Sequence, residues 1–383
     1  MDAPKVTLVD PQLGPGSALP NLLDLDLAGC QALVVGLGFK AFHGRNLFKW
    51  IHKHGVLDYD GMTDVPKTLR AILERAVSLR LPRILHTQPS ADGTVKWVME
   101  LDDGQRVETV YIPEDGRSTL CVSSQVGCAL NCAFCATARQ GFNRNLRVGE
   151  IVGQVWHAAR HLGSPPTNVV MMGMGEPLAN LESVVTAMAV MQDDLAYNLS
   201  KFRVTLSTSG VVPNIYRLRE LSDVSLAVSL HAPNNALRDQ LVPINRKYPL
   251  EELLPACRAY LGNDKRRKIT WEYVMLDGIN DSLQHAKQLI RLLEGTPSKL
   301  NLIPFNPFPG SGFTTSPPER LEAFRQRLMG AGLLTFTRKT RGDEIAAACG
   351  QLVGRVDDRT RRFARTHLVG VPATRSPPRF SAL

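Results

Sequence analysis

The stretch GCALNCAFC places Cys128, Cys132 and Cys135 within eight residues of one another. A C-x3-C-x2-C loop presents three thiolates to a soft metal centre. A structural zinc ion takes four ligands, commonly from two paired units, and only one C-x2-C pair, Cys132 and Cys135, is present here. Iron–sulfur clusters are held by thiolates, and three thiolates on a four-iron cluster leave one iron open to a substrate or cofactor. The spacing therefore favours a cluster, with zinc and unligated core thiols as the alternatives. Cys121 lies just upstream and Cys349 far downstream, while Cys30 and Cys257 stand in apolar or helical surroundings and read as small hydrophobes.

Other reactive residue types recur at the ends of short apolar runs. GMGEP, STSG, SLHAP and PFNPFPG contribute glycines, a carboxylate, small hydroxyls, His231 and Asn306. Each has a plain alternative. GMGEP alone is an ordinary strand-ending turn, and a single histidine at a strand end is commonly a structural hydrogen-bonder.

The elements that must carry these groups begin near residue 117. STLCVSSQV, TNVVMMGMG, KFRVTLSTSG, VSLAVSLHA, KITWEYVML and KLNLIPFNP are apolar or β-branched runs separated by helical patterns such as RVGEIVGQVWHAARHLG. Six β–α alternations with strands apolar on both faces imply an α/β fold, a parallel sheet with helices outside. Six is short of a closed eight-fold barrel, so a partial, open (β/α)6 TIM-like barrel is expected, with its active site at the C-terminal strand ends. Upstream, residues 39–55 read as a basic amphipathic helix, with Phe42, Leu47, Trp50 and Ile51 inward and Lys40, His43, Arg45, Lys49 and Lys53 around them. A second helix, PKTLRAILERAVSL, and strand-like runs split by ADGT and DDGQ follow. GLGFKA fits a dinucleotide fingerprint, but two helices follow it where a second parallel strand is required. The expected division is an irregular lead-in over 1–30, a small helical accessory domain and β-meander over 31–116, the barrel over 117–350, and an Arg/Pro-rich tail over 351–383.

The formal charge of +9 and pI of about 9.3 suit a polyanionic partner, nucleic acid being the commonest. The N-terminus lacks the apolar core of a signal peptide, and no run approaches the length of a membrane span. Seven cysteines, odd in number and clustered, argue against a disulfide framework and for a cytoplasmic setting.

C-x3-C-x2-C after a first barrel strand resembles the radical S-adenosylmethionine (SAM) superfamily. Within it, TLCVSSQVGCALNCAFCATARQGFNRNL, MGMGEPL, LSTSG, SLHAPN, LIPFNPFPG and RGDEIAAACGQL closely resemble the RlmN family of RNA methyltransferases, from about residue 36 to 350. That resemblance implies a [4Fe-4S] cluster on Cys128, Cys132 and Cys135, its open iron chelating SAM. It implies SAM contacts at Gly175, Glu176, Ser207, Ser229, Leu230, His231 and Asn306, and a proton acceptor at Glu108. The implied substrates are C2 of adenosine 2503 in 23S rRNA and of adenosine 37 in tRNAs. The implied route has Cys349 taking a methyl from one SAM and losing hydrogen to a radical from a second. Its carbon then adds to the base, and Cys121 resolves the adduct with formation of a Cys121–Cys349 disulfide. A flavodoxin-type reductant and a monomeric chain are expected. The rival readings are a Cfr-like C8 methyltransferase and a zinc-stabilised, non-catalytic RNA-binding protein. The segment QGFNRNL is more similar to the C2 family.

Overall fold

The computed structural model describes residues 19–264, 266–339, 341, 342, 345, 347, 350–354, 358 and 359. Part of the stretch read as an irregular lead-in has regular structure. Asn21, Leu22 and Leu23 are buried, and α1 (Leu27–Gly36) starts where the Asp26 carboxylate accepts the Gly29 N–H at 2.8 Å, a helix N-cap. ALVVG, the only candidate strand before GLGFKA, lies in this helix, so the dinucleotide fingerprint has no strand to follow.

In α2 (Ala41–His52) a glycine decides which face is inward. A Cβ on Gly44 would lie 2.6 Å from the Cys30 carbonyl oxygen, so only glycine lets the helices touch there. The face shared by Gly44, Leu47, Phe48 and Ile51 is buried, and Phe42, expected inward, is 50% exposed on the other side. After α3 (Lys67–Ala76) come β1 (Arg83–Pro89), β2 (Val95–Glu100) and β3 (Arg106–Glu114), an antiparallel meander.

The meander is continuous with the barrel sheet: β3 pairs antiparallel with β4 (Arg117–Cys121). A short hairpin of β5 (Gln125–Gly127) and β6 (Phe142–Asn145) encloses the one-turn helix α4 (Ala136–Arg139). The chain then alternates through α5 (Val148–Leu162), β7 (Asn168–Met171), α6 (Leu181–Gln192), β8 (Val204–Thr208), α7 (Val212–Leu221) and β9 (Ser225–Ser229). It continues with α8 (Asn235–Leu241), α9 (Leu250–Leu261), β10 (Ile269–Met275), α10 (Leu283–Leu292), β11 (Ser298–Pro304), α11 (Pro318–Met329) and β12 (Leu334–Thr337).

The sheet order is β1-β2-β3-β4-β7-β8-β9-β10-β11-β12, parallel from β4 onward. All six expected barrel strands are present, and β12 adds a seventh. Its pattern is mostly exposed, so its sequence lacks the apolar run that marks the others. The sheet stays open, with β1 and β12 each having one neighbour among the described residues. Every residue of the interior strand β10 is buried. The accessory helices share this core: Trp156 of α5 donates its indole N–H to the Ile51 carbonyl at 3.1 Å, and Arg160 donates to the His54 carbonyl at 2.9 Å.

Candidate active site

The cysteine loop leaves β5 over the C-terminal ends of the strands. The Cys128 N–H donates to the Gly141 carbonyl at 2.7 Å, and the Ala133 N–H donates to the Leu241 carbonyl at 3.0 Å. Between them Asn131 adopts φ 59°, a conformation asparagine tolerates better than most residues. Cys128, Cys132, Cys135 and Cys121 all line one cavity of about 180 Å³.

GMGEP forms the next wall and is stacked on the segment that follows β4. Gly175 sits at φ 102°, and a Cβ there would fall 2.5 Å from the Gln125 Cβ, so glycine is required twice over. The Gln125 amide oxygen accepts the Glu176 N–H at 2.8 Å, and its amide nitrogen donates to Asn145 at 2.8 Å. The Glu176 carboxylate, 2% exposed, accepts the N–H groups of Ser209 at 2.7 Å and Leu178 at 3.1 Å. Burial raises its pKa against these bonds.

Ser207, next to last in β8, and Ser229, last in β9, line the same cavity, and His231 follows at φ 58°. That backbone is held from both sides. His231 Nδ1 accepts the Val274 N–H at 3.0 Å, and its carbonyl accepts from the Asn280 amide at 2.9 Å. Its ring is therefore a structural hydrogen-bonder as well as a lining group, and burial lowers its pKa to about 3. Leu230 and Asn306 are buried next to the site but outside the cavity lining.

Sequence reasoning missed the cation that gathers these strand ends. Arg238 of α8 is fully buried and donates to the carbonyls of Ser209, Ser229 and Leu230 at 2.7, 3.0 and 3.1 Å and to Asn245 at 2.8 Å. Burial lowers its pKa to about 10. No local pattern in NNALRDQL announces this role, because the acceptors come from two other strands. Arg338, just beyond β12, also lines the cavity, 3.7 Å from the Glu272 carboxylate.

Glu108 is buried on β3, with Lys96 Nζ at 3.1 Å from one oxygen and the Val353 N–H at 2.9 Å from the other. It lies outside the cavity lining and is 3% exposed, unlike an ordinary solvated strand carboxylate. Burial raises its pKa, opposed by the Lys96 charge and the Val353 N–H. Cys349 lies outside the described residues. Ala347 and Gly350, on either side of it in sequence, line the cavity, and Gly350 and Leu352 offer their carbonyls to the Ala136 N–H and the Thr137 hydroxyl of the cysteine loop at 2.8 and 2.7 Å.

The donor set fits an iron–sulfur cluster. Burial pushes the Cys132 thiol well up, and Cys128, Cys135 and Glu176 add to the rise, so three thiolates here require a strongly cationic partner.

Residues 122–292 match the Radical SAM superfamily, and residues 20–79 match the ribosomal RNA large subunit methyltransferase N-terminal domain. The dual-specificity RNA methyltransferase RlmN of Alkalilimnicola ehrlichii is 59% identical over 90% of this chain and 97% of its own length. The chain belongs to the RlmN family. The RlmN protein of Stenotrophomonas maltophilia is 55% identical over 92% of this chain and 93% of its own. The crystal structure of a radical SAM methyltransferase from Sphaerobacter thermophilus is 44% identical, with a TM-score of 0.82 over 87% of this chain and 99% of that one. RlmN methyltransferases use a [4Fe-4S] cluster and SAM, so the protein is an enzyme, and the non-catalytic zinc reading is set aside. No helix among the described residues is long and apolar enough to cross a membrane.

Proposed function

We propose that this enzyme methylates C2 of adenosine in RNA, at adenosine 2503 of 23S rRNA and adenosine 37 of tRNAs. The observation that carries the proposal is the sharing of one cavity by Cys121, the three loop cysteines and both described flanks of Cys349. Carbon C2 of adenine is electron-poor and does not attack a SAM methyl as an oxygen or nitrogen does, so a protein thiol is needed as carrier. Bound in the cavity, the cluster and SAM supply radical chemistry at carbon.

Each residue then has a task. Cys128, Cys132 and Cys135 hold the cluster, and Gly175, seated against Gln125, sets the turn at the amino end of SAM, with Glu176 beside it. Ser207, Ser229, Leu230, His231 and Asn306 form the rest of the SAM site, fixed by Arg238 behind it. Cys349 as thiolate accepts the methyl group and later links protein to RNA. Glu108 takes up a proton as the adduct resolves, and the Cys121 thiolate attacks the Cys349 sulfur, breaking its bond to the methylene carbon, which leaves on the base and is protonated to the methyl group as the disulfide forms. The walls exclude water and fix the order of contacts. Outside, Lys40 and Arg45 are exposed on the accessory helices and suit phosphate contacts that position without reading sequence. The target base has to leave its stack to reach the cavity.

Mass spectrometry of RNA digested after reaction with the reduced, reconstituted enzyme tests this. 2-Methyladenosine at the two sites is expected; 8-methyladenosine, or no methylated adenosine, contradicts the proposal.

A further inference from the structure

The register of the meander places a lysine on the active-site face of the sheet. Lys96 on β2 faces Val110 on β3, and Val110 faces Cys121 on β4. Facing residues in antiparallel strands put their side chains on the same side of the sheet, so these three form one row, and Glu108 is the next residue of β3 on that side. Val110 and Cys121 both line the cavity. At the edge of this row the side chains of Lys96 and Glu108, 5% and 3% exposed, meet at 3.1 Å. The second carboxylate oxygen accepts the N–H of Val353, four residues beyond Cys349 in sequence.

A buried ion pair is poor scaffolding, because desolvating two charges offsets most of their attraction and an apolar pair serves stability as well. A buried carboxylate without a countercharge is a poor proton acceptor, because burial favours its protonated form. A fixed ammonium corrects this, and the compact charge of lysine does so from the neighbouring strand without occupying the cavity.

We propose that Lys96 is a positioning residue of the methyl-transfer reaction, supplying the countercharge that fixes Glu108 on the sheet face it shares with Cys121 so that it can take up a proton. This rests on the reading of Glu108 as proton acceptor. Burial and the Lys96 charge pull the Glu108 pKa in opposite directions, so loss of the charge raises it further.

The test follows RNA methylation by the reconstituted holoenzyme in single turnover across a pH series. Lys96→Met and Lys96→Gln, the second keeping a hydrogen-bond donor where the first risks misfolding, should both move the acid limb upward by about one to three pH units. Below the limb the rate should fall about tenfold for each unit moved. Lys96→Arg should keep the limb near its wild-type position. Adding Lys96→Met to Glu108→Gln should slow the enzyme no further than Glu108→Gln alone. A limb unmoved in Lys96→Gln, or rate penalties that multiply in the double variant, overturns the proposal. Wild-type rates in Glu108→Gln would instead remove the proton-acceptor reading itself, and a slow Glu108→Gln with unmoved lysine variants would remove only the role of Lys96.

Discussion

The Glu176 carboxylate accepts the Ser209 N–H at 2.7 Å, pinning the turn after β7 to the turn after β8. On the other side the Glu176 N–H is held by Gln125, so three successive parts of the cavity wall are coupled through one residue. The glycine that makes this possible is Gly175, whose φ of 102° leaves no room for a side chain.

Gly175→Ala should therefore misplace the wall without removing any chemical group. Stability should fall by about 1–3 kcal/mol from backbone strain and overlap with Gln125, and SAM binding should weaken. Thermal melts and equilibrium dialysis with SAM check both. A variant that binds SAM like the wild type contradicts this reading of the turn.

Arg238 should matter more for order than for charge. Arg238→Met leaves the carbonyls of Ser209, Ser229 and Leu230 without their buried donor. Stability should fall by about 3 kcal/mol or more, since each unsatisfied buried group costs about 1–3 kcal/mol. Urea unfolding measures this. A drop below about 1 kcal/mol would mean that the strand ends hold themselves.

His52 gives the accessory helices an acid-sensitive contact. It is buried in α2 against Phe48 and Tyr197, its Nε2 has no hydrogen-bond partner among the described residues, and burial lowers its pKa to about 3 from an ordinary 6.5. The unfolded chain binds the proton more readily, so the contribution is complete above pH 6.5 and declines as pH falls toward 3. At about pH 5 this residue's protonation should cost about 2 kcal/mol. Unfolding of wild type and His52→Leu, followed by tryptophan fluorescence at neutral and mildly acid pH, should show a smaller acid effect in the variant. Equal effects would place the acid sensitivity elsewhere.

Reversing Lys40 and Arg45 to Glu should weaken RNA binding. It should also flatten the dependence of log affinity on log salt by about 0.7–0.9 for each phosphate that is no longer neutralised. Filter binding over a salt series checks it. Lys40 and Arg45 are chosen over Lys49, which is half-buried, and Lys53, which donates to the Asp194 carbonyl at 3.1 Å. An unchanged slope would place the docking surface away from this helix.

The strand-end motifs were legible because chemistry restricts residue type at fixed spacing: three cysteines, a glycine turn with its acid, serines and a histidine. The six barrel strands were legible because strands covered on both faces read as apolar runs. The groups that hold the site were hidden. Arg238, Gln125 and Lys96 act through partners on other strands, and a sequence window carries no trace of such pairing. The face of α2 was misassigned at Phe42 because a helix-packing glycine, Gly44, outranks an aromatic side chain where two backbones touch. The seventh parallel strand, β12, was missed because an exposed edge strand needs no apolar pattern.

The proposed division of labour, three cysteines holding iron while Cys121 and Cys349 handle carbon, is reached directly by one measurement. Cys121→Ala enzyme, reconstituted and supplied with SAM, reductant and a labelled rRNA fragment, is run on a denaturing gel. On the proposed mechanism the variant can still accept a methyl group at Cys349 and join it to the base, but it lacks the thiol that resolves the adduct. A slow-migrating, covalent protein–RNA band is predicted, dependent on both SAM and reductant and absent from Cys349→Ala. Normal turnover by Cys121→Ala, or a stalled enzyme with no covalent RNA, would contradict the account.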